Sequence, residues 1–154
     1  AIKVIHRGDG SGTTFTFTYY LSKVSKVWSE RYGIASRLKW PVGEAISGNA
    51  NLAKAVAMQE GSIGYVEYAY AKQGKLVTTK LNGVEPSLET FANGKYELTA
   101  ATYIIFYKEG ANREAVKFFE WALTNGDQLA KDLDYVPLSA KEKAESVKIL
   151  KSLK

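Results

Sequence analysis

The chain has 154 residues and a formal net charge of +5, with 45% hydrophobic and 24% charged residues, the proportions of a globular domain rather than a disordered segment. It has no cysteine, which excludes disulfides, thiolate metal sites and thiol nucleophiles and fits either the cytoplasm or an exported protein that folds without disulfides. No apolar run approaches the roughly 20 residues of a membrane helix, so a soluble chain is expected.

Residues 2–6 predict a strand, and Phe17, Leu21, Val24 and Trp28 then recur at helical spacing. The chain opens directly in strand-forming residues, so further structure is expected upstream or elsewhere. Residues 37–43 predict a short strand or extended segment ended by Pro41 and Gly43. Asn49 is placed to cap a helix carrying Leu52, Ala55, Val56 and Gln59. Strands are expected over 62–66 and 75–81, with a short helical turn over 68–72 between them. Pro86 and Ser87 open a short helix through Phe91, closed near Asn93 and Gly94.

Residues 101–107 are apolar without strict alternation, which predicts a central strand covered on both faces. A helix follows from Asn112, with Val116, Phe119 and Leu123 on one stripe. It breaks at Asn125 and Gly126, restarts over 127–130 and gives way to an extended segment over 134–138. Ser139 and Glu142 stand at capping-box spacing before a last helix with Ala144, Val147 and Leu150 on one face. Its lysines, Lys141, Lys143, Lys148, Lys151 and Lys154, are the densest basic cluster and read as a solvated face. With no reader motif beside them, no nucleic-acid partner is expected. Alternating strands and helices predict an α/β fold with a largely parallel sheet flanked by helices, its ligands beyond the carboxyl ends of the strands.

That is where the stretch from Arg7 to Thr14 falls. It joins the first strand to the first helix, at a helix N-terminus whose leading N–H groups lack intrahelical partners and whose dipole favours negative charge. Gly8, Gly10 and Gly12 let the backbone approach a ligand closely. Ser11 and Thr13 offer hydroxyl hydrogens, the N–H groups of Gly12, Thr13 and Thr14 can converge on the same oxyanion, and Arg7 adds a charged fork. Asp9 would repel a bound anion, so it is expected to pair with Arg7 and fix its rotamer. On local grounds alone the same residues also fit a plain tight turn with an N-cap.

Other chemistries lack their residues. Thr13 occupies the last position of a dinucleotide fingerprint, and no lysine follows as in a nucleotide P-loop. His6 is the only histidine and reads as structural, and Ser11 lacks the usual activators of a nucleophile. Asp132 and Asp134 receive no role. The aromatic run from Tyr65 to Tyr70 reads as core and lobe packing, and Trp40, Phe118, Phe119 and Trp121 likewise read as core. No metal, cofactor or enzymatic activity is expected.

The loop from Arg7 to Phe15 resembles the anion loop of the periplasmic phosphate-binding proteins of bacterial high-affinity phosphate ABC transporters. The likeness continues through Trp40-Pro41-Val42-Gly43, Gly48-Asn49 and the run from Ile63 to Ala71. It resumes at Thr102-Tyr103-Ile104-Ile105, at Phe118-Phe119-Glu120-Trp121-Ala122 and over residues 133–138. It implies a type II periplasmic-binding-protein-like half, in which Arg7, Ser11, Gly12 and Thr13 contact inorganic phosphate while Asp9 pairs with Arg7. Family members are two-lobed, which places residues 1–97 mostly in one lobe and returns 98–154 to the other.

The resemblance covers only the family's carboxyl-terminal half. The amino-terminal Gly-rich Thr-Phe loop and the later Ser and Asp ligands are not found. That Asp accepts a proton from phosphate, which fully ionised sulfate cannot offer, so this half alone is expected to bind weakly and select poorly. Uncovered edges and faces imply a complementing amino-terminal half or a homo-oligomer. An assembled receptor implies an ABC transporter permease as partner and a periplasmic or extracellular location. The alternative is an assembly or scaffold protein on the same fold that does not bind phosphate by itself.

Overall fold

A computed structural model describes residues 1–153. By internal contacts they divide into two compact units, residues 1–100 and the described residues from 101 onward.

In the first unit, β1 (Lys3–Arg7) is followed by α1 (Gly12–Val24) and α2 (Lys26–Arg31), then β2 (Glu44–Ile46), α3 (Asn49–Met58), β3 (Ser62–Ile63), α4 (Tyr68–Gln73) and α5 (Leu88–Ala92). The sheet has the order β2-β1-β3 and is parallel throughout. Ile5 pairs with Glu44 on one side of β1, and Lys3 pairs with Ser62 on the other. Parallel strands need crossover connections, which the helices supply. The α/β class with a parallel, helix-flanked, open sheet is as expected.

Ile5 and Leu52 are fully buried. A Cβ on Gly64 would lie 2.7 Å from Leu52 Cδ2 and 3.2 Å from the Ile5 carbonyl oxygen, so α3 presses on the sheet where this glycine gives it room. A second apolar group joins Phe17, Trp28, Trp40 and Tyr65. Phe17 stacks on Tyr65 with centroids 4.6 Å apart, and Trp40 stacks on the buried His6 at 5.0 Å. His6 is thus a packed structural residue, and Trp40 joins its packing as expected.

Several expected elements differ. The strand expected over 37–43 is irregular, and pairing begins only at Glu44. Pro41 has no N–H to give a ladder, and Gly43 sits at φ +106°, where a Cβ would lie 2.8 Å from the Val4 carbonyl oxygen. The strand expected over 62–66 stops at Ile63, just before Gly64 passes under α3. Residues 75–81 form no strand, since Lys75 takes a left-handed φ of 51°. The N-cap of α3 is Gly48, at φ +80°, not Asn49, which begins the helix and turns its side chain elsewhere. Ser87 caps α5 with a reciprocal box through Thr90, as the Pro-Ser start predicts.

In the second unit, α6 (Arg113–Asn125), α7 (Asp127–Asp132) and α8 (Ala140–Ser152) follow one another. Asn112 caps α6 by accepting from Glu114 N and Ala115 N, Gly126 ends it, and Ser139 with Glu142 forms the expected capping box on α8. Ala111, Val116 and Leu150 form the core, with Phe106, Phe119, Leu123 and Leu153 packed against it. Lys143 pairs with Asp127, and Lys151 with Glu120 at 3.1 Å. Phe118 and Trp121, expected in the core, are more than half exposed, because only the stripe through Val116, Phe119 and Leu123 faces α8. The central strand expected over 101–107 is not one. The segment is irregular and Ile105 is 92% exposed, because no described strand lies beside it to complete a ladder. Asp134, expected to be extended, is left-handed at φ 62°, and Tyr135 N donates to the Ala130 carbonyl just beyond α7.

Among the described residues, no helix is long and apolar enough to cross a membrane.

Candidate anion-binding site

Because all three strands run parallel, their carboxyl ends lie along one edge of the sheet. Arg7 ends β1, Gly48 and Asn49 follow β2, and Tyr65 and Glu67 follow β3. The three loops meet there, and their side chains form one hydrogen-bonded group around the start of α1.

Arg7 is at its centre, its side chain only 8% exposed. Nε donates to Asp9 Oδ1 at 2.7 Å and Nη2 to Asp9 Oδ2 at 2.5 Å, a bidentate pair, while Nη1 donates to Asn49 Oδ1 at 2.6 Å. A guanidinium has five N–H groups. One on each terminal nitrogen remains after these bonds.

Asp9 also accepts from Gly48 N at 3.2 Å, tying the first loop to the second. The hydrogen bond from Arg7 is the main reason its carboxyl titrates well below the ordinary carboxylate range, and the same bond raises the Arg7 pKa. Asp9 therefore stays ionised and holds Arg7 in one rotamer, the geometry expected of it.

Ser11 caps α1, its Oγ accepting from Thr14 N at 3.3 Å and its carbonyl from Phe15 N at 3.0 Å, so the Thr14 amide, expected beside those of Gly12 and Thr13, is taken up by the cap instead. Its hydroxyl proton is left to donate. Among the described residues the N–H groups of Gly12 and Thr13 have no acceptor, as the first turn of a helix requires. Thr13 Oγ1 donates toward Glu67 Oε1 at 3.3 Å and lies 3.5 Å from Asn49 Oδ1. Asn49 Nδ2 donates to the same Glu67 oxygen at 3.1 Å.

Beneath the loop, Tyr65 OH accepts from Arg7 N at 3.1 Å and shares a 2.7 Å hydrogen bond with the fully buried Thr14 hydroxyl. Burial raises the Tyr65 pKa, with the Thr14 bond opposing, so the phenol is neutral at any physiological pH. One hydroxyl thus pins the end of β1 to the first turn of α1.

Arg7, Asp9, Ser11, Gly12 and Thr13 all fall within this group. The sequence reading missed Asn49 as a partner of Arg7, Glu67 as a partner of Thr13, and Tyr65 as more than packing. Their common signal is topological, since each follows the carboxyl end of a parallel strand. Asp9 cancels the formal charge of Arg7 and Glu67 adds a negative one, so the group offers directed hydrogen-bond donors rather than net positive charge.

A strand-to-helix loop at the carboxyl edge of an open parallel sheet is the place where α/β domains of this kind take their ligands. A family profile described as the PBP superfamily domain matches residues 1–126, and the chain belongs to that superfamily. It is 42% identical to the phosphate-binding protein PstS of Pasteurella multocida, over 90% of this chain and 49% of that protein. It is 39% identical to the phosphate-binding protein PstS of Haemophilus influenzae, over 90% of this chain and 51% of that protein. The chain spans about half the length of these curated relatives. Among solved structures, PstS from Borrelia burgdorferi superposes with a TM-score of 0.59 at 19% identity, over 90% of this chain and 54% of that one, a likeness of fold.

Proposed function

We propose that the chain binds inorganic phosphate as part of a non-enzymatic substrate-binding protein for ABC-type phosphate uptake, working outside the cytoplasmic membrane with a transporter permease. The observation that carries this reading is the Arg7 guanidinium. Asp9 and Asn49 hold it, two of its N–H groups remain to donate, and it lies beside a helix start whose Gly12 and Thr13 amides lack acceptors. Three kinds of donor suit the oxygens of a tetrahedral anion: the guanidinium, the two amides, and the hydroxyls of Ser11 and of Thr13, the latter by turning its one proton from Glu67 Oε1 to the ligand. The names of the relatives support phosphate as that anion.

The loop supplies one wall of the binding cleft, with residues 1–97 contributing to one lobe and 98–154 to the other. A complementing amino-terminal half or a second copy supplies the facing wall, and the amino-terminal half, unlike a copy, also brings a carboxylate that distinguishes protonated phosphate from sulfate. Calorimetric titration with phosphate, with and without a candidate amino-terminal half, tests the reading. Arg7→Ala is expected to weaken binding at least about tenfold, the loss of charge-assisted hydrogen bonds, and Thr13→Val several-fold. Unchanged affinity in both variants would remove the loop from the site. Absence of phosphate heat in the wild-type chain even with its complement favours the scaffold alternative.

A further inference from the structure

We propose that Asn49 and Glu67 act together as positioning residues for the anion loop, Glu67 fixing the Asn49 amide so that its oxygen holds Arg7 and steadies Thr13; this rests on the phosphate-binding reading above. A side-chain amide has two orientations that exchange oxygen and nitrogen. In one, Asn49 Oδ1 accepts from Arg7 Nη1 at 2.6 Å and Nδ2 donates to Glu67 Oε1 at 3.1 Å. In the other, an N–H would face the guanidinium N–H, donor against donor, and the amide oxygen would face the Glu67 carboxylate, acceptor against acceptor. An ionised carboxylate offers only acceptors and a guanidinium only donors, so the two together select one orientation.

The arrangement accounts for a carboxylate whose charge opposes an anion. Glu67 is the N-cap residue of α4, yet its side chain makes no capping bond there. Its carboxylate instead accepts from Thr13 at 3.3 Å and from Asn49, one residue from the β1–α1 loop and one from the β2–α3 loop. Through Asn49 it reaches the same guanidinium that Asp9 grips from the other side. Arg7 is then held by acceptors at three of its N–H groups, so the two remaining ones point in directions fixed before a ligand arrives. Such preorganisation raises affinity without a new contact to the ligand.

Charge and hydrogen bonding predict opposite signs, which makes the test decisive. Removing a negative charge beside the site should strengthen anion binding, whereas removing the acceptor that orients Asn49 should weaken it. Glu67→Ala deletes both, while Glu67→Gln deletes the charge but keeps an oxygen that can accept from Asn49. Phosphate titrations of the chain with its complementing half are expected to show Glu67→Ala weakened about tenfold and Glu67→Gln within about twofold of wild type. Side-chain 15N relaxation of the ligand-free chain is expected to show the Asn49 amide and Arg7 Nη1 ordered in wild type and Glu67→Gln, and mobile in Glu67→Ala. Asn49→Ala should free Arg7 Nη1 in the same way, and it stands in should Glu67→Ala fail to fold. Tighter phosphate binding by Glu67→Ala, or Arg7 Nη1 order unchanged in both alanine variants, would overturn the proposal. If wild type gives no phosphate heat, the functional reading falls, while the relaxation data still decide whether Glu67 and Asn49 position Arg7.

Discussion

Asp9 links charge, rotamer and loop geometry in a single side chain. Its two oxygens take a bidentate bond from Arg7 and a third bond from Gly48 N, and its carboxyl titrates below the ordinary value of 3.8. The native state therefore binds this proton less tightly than the unfolded chain does. The stabilisation is fully present above that ordinary value and is lost as pH falls through the lower native one. Asp9→Asn keeps the size of the side chain and removes the ionisation. Its urea midpoint is expected to lie below that of wild type near neutral pH and to converge on it under increasingly acidic conditions. Parallel curves across the whole range would show that the pair contributes nothing to folding. The Arg7–Asp9 pair was legible in the sequence because its members stand two positions apart on one loop. Asn49 and Glu67 were not, because 42 residues separate Arg7 from Asn49 and 54 separate Thr13 from Glu67, and no local pattern reports on such pairs.

At the scale of elements, most of what could be read locally was read correctly, the cap placed at Asn49 excepted, and apart from β1 the strand extents, which depend on a neighbour, were not. A helix closes its hydrogen bonds within its own segment, so its starts are written in adjacent residues. Ser139 and Glu142 announced α8, and Asn112 announced α6. Ser139→Ala should cost about 1 kcal/mol and speed amide exchange in the first turn of α8, read by thermal denaturation and hydrogen exchange. Exchange unchanged in that turn would show the cap to be redundant.

A strand is defined by what lies beside it, and here sequence patterns misled. Residues 75–81 had the composition of a strand but not the partner, and β3 is only two residues long. Gly64 shows the same dependence from the packing side. A Cβ there would meet Leu52 Cδ2 at 2.7 Å and Val56 Cγ2 at 3.0 Å. Gly64→Ala should therefore lower the stability of the first unit by about 1–3 kcal/mol in urea unfolding, the usual cost of overpacking. A midpoint equal to that of wild type would mean that α3 shifts away freely.

On the scale of the whole molecule, the segment over 101–107 concentrates what this chain leaves unsatisfied. Tyr103 is 83% exposed, Ile105 92% and Tyr107 86%, in a run whose backbone joins no described ladder. Exposed β-branched and aromatic residues on unpaired backbone can template another strand, and contiguous apolar surface is the kind found at interaction sites. The complementing half or second copy proposed above is the occupant we propose for it. Because Ile105 is outside the core of Ala111, Val116 and Leu150, Ile105→Lys should leave the helical circular-dichroism signal intact while adding a charge to the exposed run. Sedimentation of the wild-type chain alone should show association that grows with concentration, and Ile105→Lys should shift it toward a single chain. A wild-type chain that sediments as one compact copy at every concentration, with no partner present, would show that the segment needs no cover.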